Sequence, residues 1–200
     1  MPVLVCTDPQ RPHSAPAPLL HLPSHASPMI DNQVPDWSRE HVQPGEWNPG
    51  KFLLSSIRRY QRYQQDPPAL SGLRIGWAVL QHRFWSAVTG ADIPLNCQLG
   101  GGLLLPHPNG VVIHPDARVG PNCLIFQQVT LGTLASGGAP VIGGHVDIGA
   151  GAKLLGGINI GDHAKIGANA VVLADVPPGS VAVGAPARCL PPEKKAASHA

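Results

Sequence analysis

Between Ile93 and Val172 an aliphatic residue returns at every sixth position, usually with a glycine behind it. The later part reads IGGHVD, IGAGAK, LLGGIN, IGDHAK and IGANAV from Ile142, Ile148, Leu154, Ile160 and Ile166. The earlier part keeps the same beat at Ile93, Leu99, Leu105, Ile113, Val119, Ile125 and Leu131. A short fixed period of this kind builds a solenoid whose coils bury a common core. The fifth position of the hexads is small or apolar as well, at Cys97, Ala117, Cys123, Ala152, Ala164 and Ala170. That alternation suits a short strand followed by a tight corner, with three strands making one triangular coil of about eighteen residues. Cys97 and Cys123 then point inward as packed thiols.

The beat breaks twice. Two extra residues stand between Leu105 and Ile113, around Pro106-His107-Pro108-Asn109-Gly110, and a longer loop with Ser136-Gly137-Gly138-Ala139-Pro140 separates Leu131 from Ile142. Irregular loops on a rigid scaffold are where function concentrates.

Outside the repeat the chain changes character. Glycine and proline supply 23 residues each, the glycines falling on the beat and the prolines crowding at the two ends. Residues 1–50 are proline-rich and read as an extended or disordered arm that tightens around Trp37 and Trp47. His13, His21 and His25 lie there as solvated side chains. Residues 51–90 read as a two-helix segment. Phe52, Leu53, Ile57 and Tyr60 gather on one face of the first helix, with Arg58, Arg59 and Arg62 on the other, and Asp66-Pro67-Pro68 ends it. The second helix, from about Leu73 to Thr89, carries Ile75, Trp77, Val79, Leu80, Phe84, Trp85 and Val88, enough to be buried on more than one side, and stops at Gly90. Both helices are expected to cover the first open coil, whose unpaired backbone would otherwise invite edge pairing. Residues 91–188 form the repeat domain, stopped by proline pairs, and 189–200 a flexible tail.

With a formal net charge of +2 and 13% charged residues, the chain shows no basic stripe for nucleic acid and no acidic tail. No run approaches the ~18 apolar residues of a membrane span. MPVLVCTDPQ lacks the basic start of a secretory signal, and four widely spaced cysteines without CxxC fit a reducing compartment. The expected location is the cytoplasm.

The hexads, together with Asp175-Val176-Pro177-Pro178-Gly179 and Gly184-Ala185-Pro186-Ala187-Arg188, resemble the hexapeptide-repeat acyltransferases. ADIPLNCQLGGGLLLPHPNG, QQVTLGT and IGAGAKLLG resemble, more narrowly, the serine acetyltransferases, over about Leu73 to Arg188. The resemblance implies a mainly β fold, a left-handed parallel β-helix working as a homotrimer. It also implies transfer of acetyl from acetyl-CoA, a cosubstrate, to a small hydroxyl acceptor without a metal. His107 matches the family's general base and Asp92 the aspartate that orients it. A separation of fifteen residues, slightly under one coil, sets the two on neighbouring levels near one edge. A carboxylate there can fix the imidazole tautomer and stabilise the imidazolium. Gly132, Ala150 and Ala168 match positions where the pantetheine arm lies against main chain. Lys165 matches a basic residue near the nucleotide, and Arg188 is assigned to the phosphates on charge grounds.

Departures from the pattern bear on the acceptor. Pro106 stands where serine-acetylating relatives carry an aspartate, and Ser136-Gly137-Gly138 runs into Ala139-Pro140-Val141 without the Arg-His pair that holds a serine carboxylate. The C-terminal isoleucine that docks into cysteine synthase is replaced by the ending Ser198-His199-Ala200, so that partnership is not expected. A sugar hydroxyl, as in exopolysaccharide O-acetyltransferases, is the alternative acceptor. A zinc site of γ-class carbonic anhydrase type would use His145 and His163, eighteen residues apart and expected to stack, but no third ligand follows at a sensible spacing. A scaffold that keeps the repeat without the chemistry is the remaining alternative.

Overall fold

The computed structural model describes residues 33–65 and 71–190. The histidines at 13, 21 and 25, the Asp66-Pro67-Pro68 stop and the tail from 191 lie outside the described residues.

The hexads fold into strands of two to four residues that visit three faces in turn. Face A holds β2 (Val112–Ile113), β5 (Thr130–Gly132), β8 (Lys153–Leu155) and β11 (Val171–Val172), and a parallel bridge from Val112 to Asp92 extends it upstream. Face B holds β1 (Gln98–Leu99), β3 (Arg118–Val119), β6 (Val141–Ile142) and β9 (Asn159–Ile160). Face C holds β4 (Leu124–Ile125), β7 (Asp147–Ile148), β10 (Lys165–Ile166) and β12 (Val181–Gly184), with β13 (Ala187–Leu190) folded back antiparallel on β12. All other pairings are parallel, and each strand's ladder partners are one circuit before and after it. An unbroken circuit is eighteen residues, as from Val112 to Thr130 and from Lys153 to Val171. The loops after Leu105 and after Gly132 lengthen two circuits, Asp92 to Val112 and Thr130 to Lys153.

Inside and outside follow the hexad. The first-position residues from Ile93 to Val172 are buried, and the small fifth-position residues, Cys97 and Cys123 among them, close the corners beneath them. Burial pushes both thiols up to about 11, as expected of packed, unreactive cysteines. Glycine is needed where the circuits touch: a Cβ on Gly120 would lie 2.4 Å from the Gly143 carbonyl oxygen. The proline pair Pro177-Pro178, expected to stop the repeat, instead occupies a corner of one more circuit. Val176 still bridges to Ile160 and β12 pairs with β10. A corner tolerates proline because its fixed φ suits a turn and its missing N–H is not called on by a ladder.

Two helices close the upstream end. In α1 (Pro49–Gln65) the Asn48 side chain accepts the Lys51 N–H at the first turn, and Leu53, Leu54 and Ile57 are buried in the same core as Ile93, Leu99 and Leu105. Its polar side chains cover the first circuit's open backbone. Arg58 donates to the carbonyls of Leu99 and Gly100 at 2.6 and 2.7 Å, and Gln61 Nε2 to those of Leu95 and Cys97 at 3.1 and 2.9 Å. Arg58 therefore faces the repeat rather than water, and it pairs with Glu40 at 2.8 Å, whose carboxylate also accepts the Leu103 N–H. Residues 33–48 strap the side of the first two circuits, with a 3-10 helix at Trp37–Glu40 and the Asn122 side chain bonded to both Val34 O and Asp36 N.

The second helix, α2 (Ser71–Thr89), differs from expectation. It packs on α1 through Ala78 and Trp85, the latter stacked on Phe52 at 4.6 Å, and Gly90 ends it with φ +65°. Its other side is exposed, not buried: Leu73, Trp77, Leu80, Phe84 and Val88 lie open because one helix and one circuit edge cover only half of the cylinder.

Candidate active site

The loop that interrupts the first circuit is pinned from three directions. The Gly110 N–H donates to the Gly90 carbonyl at the end of α2, the Gln128 N–H from the next circuit donates to Asn109 O, and the Val111 N–H turns back on Pro108 O. Pro106 and Pro108 remove two donors that would otherwise need partners, and Gly110 takes φ +66°. His107 stands exposed on this rigid loop at the corner between faces C and A. Asp92, also exposed, sits on the level above: its N–H donates to Val111 O and its carbonyl accepts from Ile113 N–H. The fold thus brings the two to one corner on neighbouring levels, and no hydrogen bond joins their side chains in the single chain.

Ala150 and Ala168 lie on that same corner in later circuits, stacked so that the Asn169 N–H donates to Ala150 O at 2.8 Å. A Cβ on Gly149 would lie 2.6 Å from the Ala168 nitrogen, so main chain itself forms the surface there. Gly132 ends β5 and lies on the other corner of face A, about 10 Å away across a three-residue strand. Lys165 projects from face C beside Asp147, and Arg188 sits on the exposed hairpin opposite Val183. The seven residues therefore divide: His107, Asp92, Ala150 and Ala168 share one corner, while Gly132, Lys165 and Arg188 do not.

One group on that corner escapes a reading by hexads. The Gln127 Oε1 is buried without a hydrogen-bond partner, between the level of His107 and that of Ala150. An orphaned buried acceptor costs roughly 1–3 kcal/mol until a donor reaches it. Its only trace in the sequence is a Gln-Gln pair where the later circuits of the same corner have Ala150-Gly151 and Ala168-Asn169.

The loop after Gly132 turns on Gly137 and Gly138, both at positive φ, and from Thr133 to Pro140 it holds no charged side chain. Near it, His114 Nδ1 lies 3.8 Å from Asp116 Oδ2. His145 and His163 stack on adjacent circuits, Nδ1 to Nδ1 at 3.0 Å, and burial, then His163, holds His145 below the ordinary imidazole value. Among the described residues no three His, Cys, Asp or Glu side chains gather where they could hold a metal ion. Nor, among those residues, is any helix long and apolar enough to cross a membrane.

No family model matches the chain. It is 44% identical over 131 residues to a serine acetyltransferase of Synechococcus elongatus, covering 64% of this chain and 51% of the relative. A soybean serine acetyltransferase complexed with serine superposes with a TM-score of 0.60 at 38% identity, covering 71% of this chain and 57% of that one. A serine acetyltransferase in complex with CoA superposes with a TM-score of 0.61 at 33% identity, over 72% and 58% of the two chains. The chain spans about half the length of the Synechococcus relative. Over roughly two thirds of its length, then, the chain is similar in sequence and in fold to serine acetyltransferases.

Proposed function

We propose that the protein is an acetyl-CoA-dependent O-acetyltransferase of serine acetyltransferase type, built as a left-handed parallel β-helix. The observation that carries the reading is the exposed His107 on a loop clamped by α2 and two circuits, one level from Asp92, within a chain 44% identical over 131 residues to a serine acetyltransferase. His107 takes the proton of the acceptor hydroxyl, and the oxygen attacks the thioester carbonyl. The tetrahedral oxyanion collapses, and the CoA thiolate leaves with the proton that the imidazolium returns. Asp92 orients the ring and stabilises its charged form.

The stacked main chain at Ala150 and Ala168 suits a flat amide-bearing arm, and the orphaned Gln127 Oε1 is an acceptor for one of its amide N–H groups. Gly132, Lys165 and Arg188 lie off that corner, which fits a groove shared between copies in a homotrimer, one chain offering its His107 corner and its neighbour the Gly132 corner. A cytoplasmic location agrees with the buried free thiols of Cys97 and Cys123.

The acceptor has two readings. Serine follows from the relatives. A sugar hydroxyl is favoured by the uncharged loop from Thr133 to Pro140, which offers no cationic side chain to a carboxylate. Purified protein given acetyl-CoA with serine, homoserine and a panel of sugars separates them. His107→Ala is expected to lower turnover by roughly 10²–10⁴ with unchanged thermal stability. Unchanged turnover in that variant overturns the assignment of the base.

A further inference from the structure

The outward face of α2 is more apolar than its inward one. Leu73, Trp77, Leu80, Phe84 and Val88 are 46 to 75% exposed, whereas the face toward α1 and the first circuit includes His82, Ser86 and Thr89. At 100° per residue the five exposed side chains fall within a sector of about 80°, with Arg74 roughly 40° beyond one border and Arg83 roughly 60° beyond the other. The patch continues through aromatic contacts: Phe84 meets Trp85 edge-on at 5.0 Å, and Trp85 meets Trp47, itself 72% exposed, at 5.8 Å. Five large apolar side chains in one continuous face exceed the scattered exposure normal for a surface.

We propose that this face is a docking surface for an anionic lipid bilayer, on which α2 lies flat without crossing. The charge pattern selects that occupant. Neither α1 nor α2 contains an acidic residue, while together they carry Lys51, Arg58, Arg59, Arg62, Arg74 and Arg83. Lys51 and Arg58 are paired with Glu46 and Glu40, and Arg59 is bonded to Gln81; among the described residues Arg62, Arg74 and Arg83 have no ion pair. A second copy placed on the stripe brings the same basic flanks together with no carboxylate between them. Anionic headgroups supply the missing charge, and arginines beside a tryptophan- and phenylalanine-bearing stripe are the arrangement of helices that rest in the interfacial layer. Val88 is two residues from Gly90, whose carbonyl holds the Gly110 N–H, so a docked α2 sets the His107 loop beside the headgroups.

The test is co-sedimentation of the full chain with phosphatidylcholine vesicles, with and without about 30% phosphatidylglycerol, and it reads binding independently of any acetyl transfer. Wild type is expected to sediment with the anionic vesicles and to release at high salt. Arg74→Gln with Arg83→Gln is expected to weaken partitioning about 25-fold, and Trp77→Ser with Phe84→Ser roughly 100-fold or more, each with an unchanged melting temperature. No sedimentation with anionic vesicles overturns the proposal, and so does equal binding by wild type and the Trp77→Ser, Phe84→Ser variant. A wild-type oligomer that this variant dissociates, in a protein that ignores vesicles, overturns it in favour of a second copy.

Discussion

The stacked circuits and the two-helix cap bury apolar residues by different rules. In the circuits every inward position is set by the hexad, each strand within the stack has a partner on the level above and below, and a side chain's fate follows from its place in the count. In the cap, α1 uses its apolar face for packing and its polar face to satisfy carbonyls of the first circuit, while α2 shows its most apolar stripe to the outside. A periodic ladder constrains both faces of its strands. A helix laid over the end of a ladder is constrained only where it touches.

The sharpest way to test that contrast is to damage each region and compare the cost. Ile125 is fully buried in the middle of the stack, with circuits on both sides. Ile125→Ala is expected to cost about 4 kcal/mol in urea unfolding, because neighbouring circuits held by their ladders cannot collapse into the cavity. A cost near 1 kcal/mol would mean that the circuits relax independently, and the comparison would fail at its first term. Arg58→Ala is the corresponding injury at the seam. It strips the carbonyls of Leu99 and Gly100 of their donor and leaves Glu40 without its cation, for an expected loss of about 3 kcal/mol. Arg58→Lys is expected to recover part of it, since one ammonium cannot reproduce the fork that serves Glu40 and two carbonyls together.

Thiol chemistry probes the same boundary without changing the sequence. Cys97 and Cys123 are closed inside the corners with thiols raised to about 11, whereas Cys189 is exposed on β13. The folded state favours the protonated thiol at these two sites, so neither is expected to react with iodoacetamide at about pH 8 in the native protein, while Cys189 does. Peptide mass spectrometry reads the result. Labelling of Cys97 ahead of Cys123 would show the first circuit opening despite its helical cover.

Much of this organisation was legible from residue order. The period of six located every inward residue from Ile93 to Val172, and the interruptions located both loops, because a ladder of fixed pitch leaves extra residues nowhere to go but outward. The stacking of His145 on His163 followed from their separation of eighteen, the length of an unbroken circuit. Other features depended on contacts that the pattern does not encode. Pro177-Pro178 looks like a stop, yet falls on a corner where proline is tolerated. Arg58 looks like a solvent-facing residue because the carbonyls it serves lie some forty positions downstream. The orphaned oxygen of Gln127 and the scatter of the candidate residues over two corners, face C and the terminal hairpin emerge only when the circuits are stacked.

The smallest expected effect belongs to α2, and it decides whether the cap is a different kind of region or merely a looser part of the same one. Trp77 is the largest side chain on the exposed stripe, at 58% exposure. If the stripe plays no part in holding the fold, Trp77→Ser changes stability by no more than about 0.5 kcal/mol, an order of magnitude below Ile125→Ala, although it removes far more side-chain volume. Urea unfolding at several protein concentrations is the appropriate measurement, because a stripe buried between copies would make the wild-type midpoint rise with concentration and the variant's midpoint stay flat. A concentration-independent loss of about 2 kcal/mol or more would place Trp77 in the chain's own core, and the contrast between ladder and cap would then be one of degree.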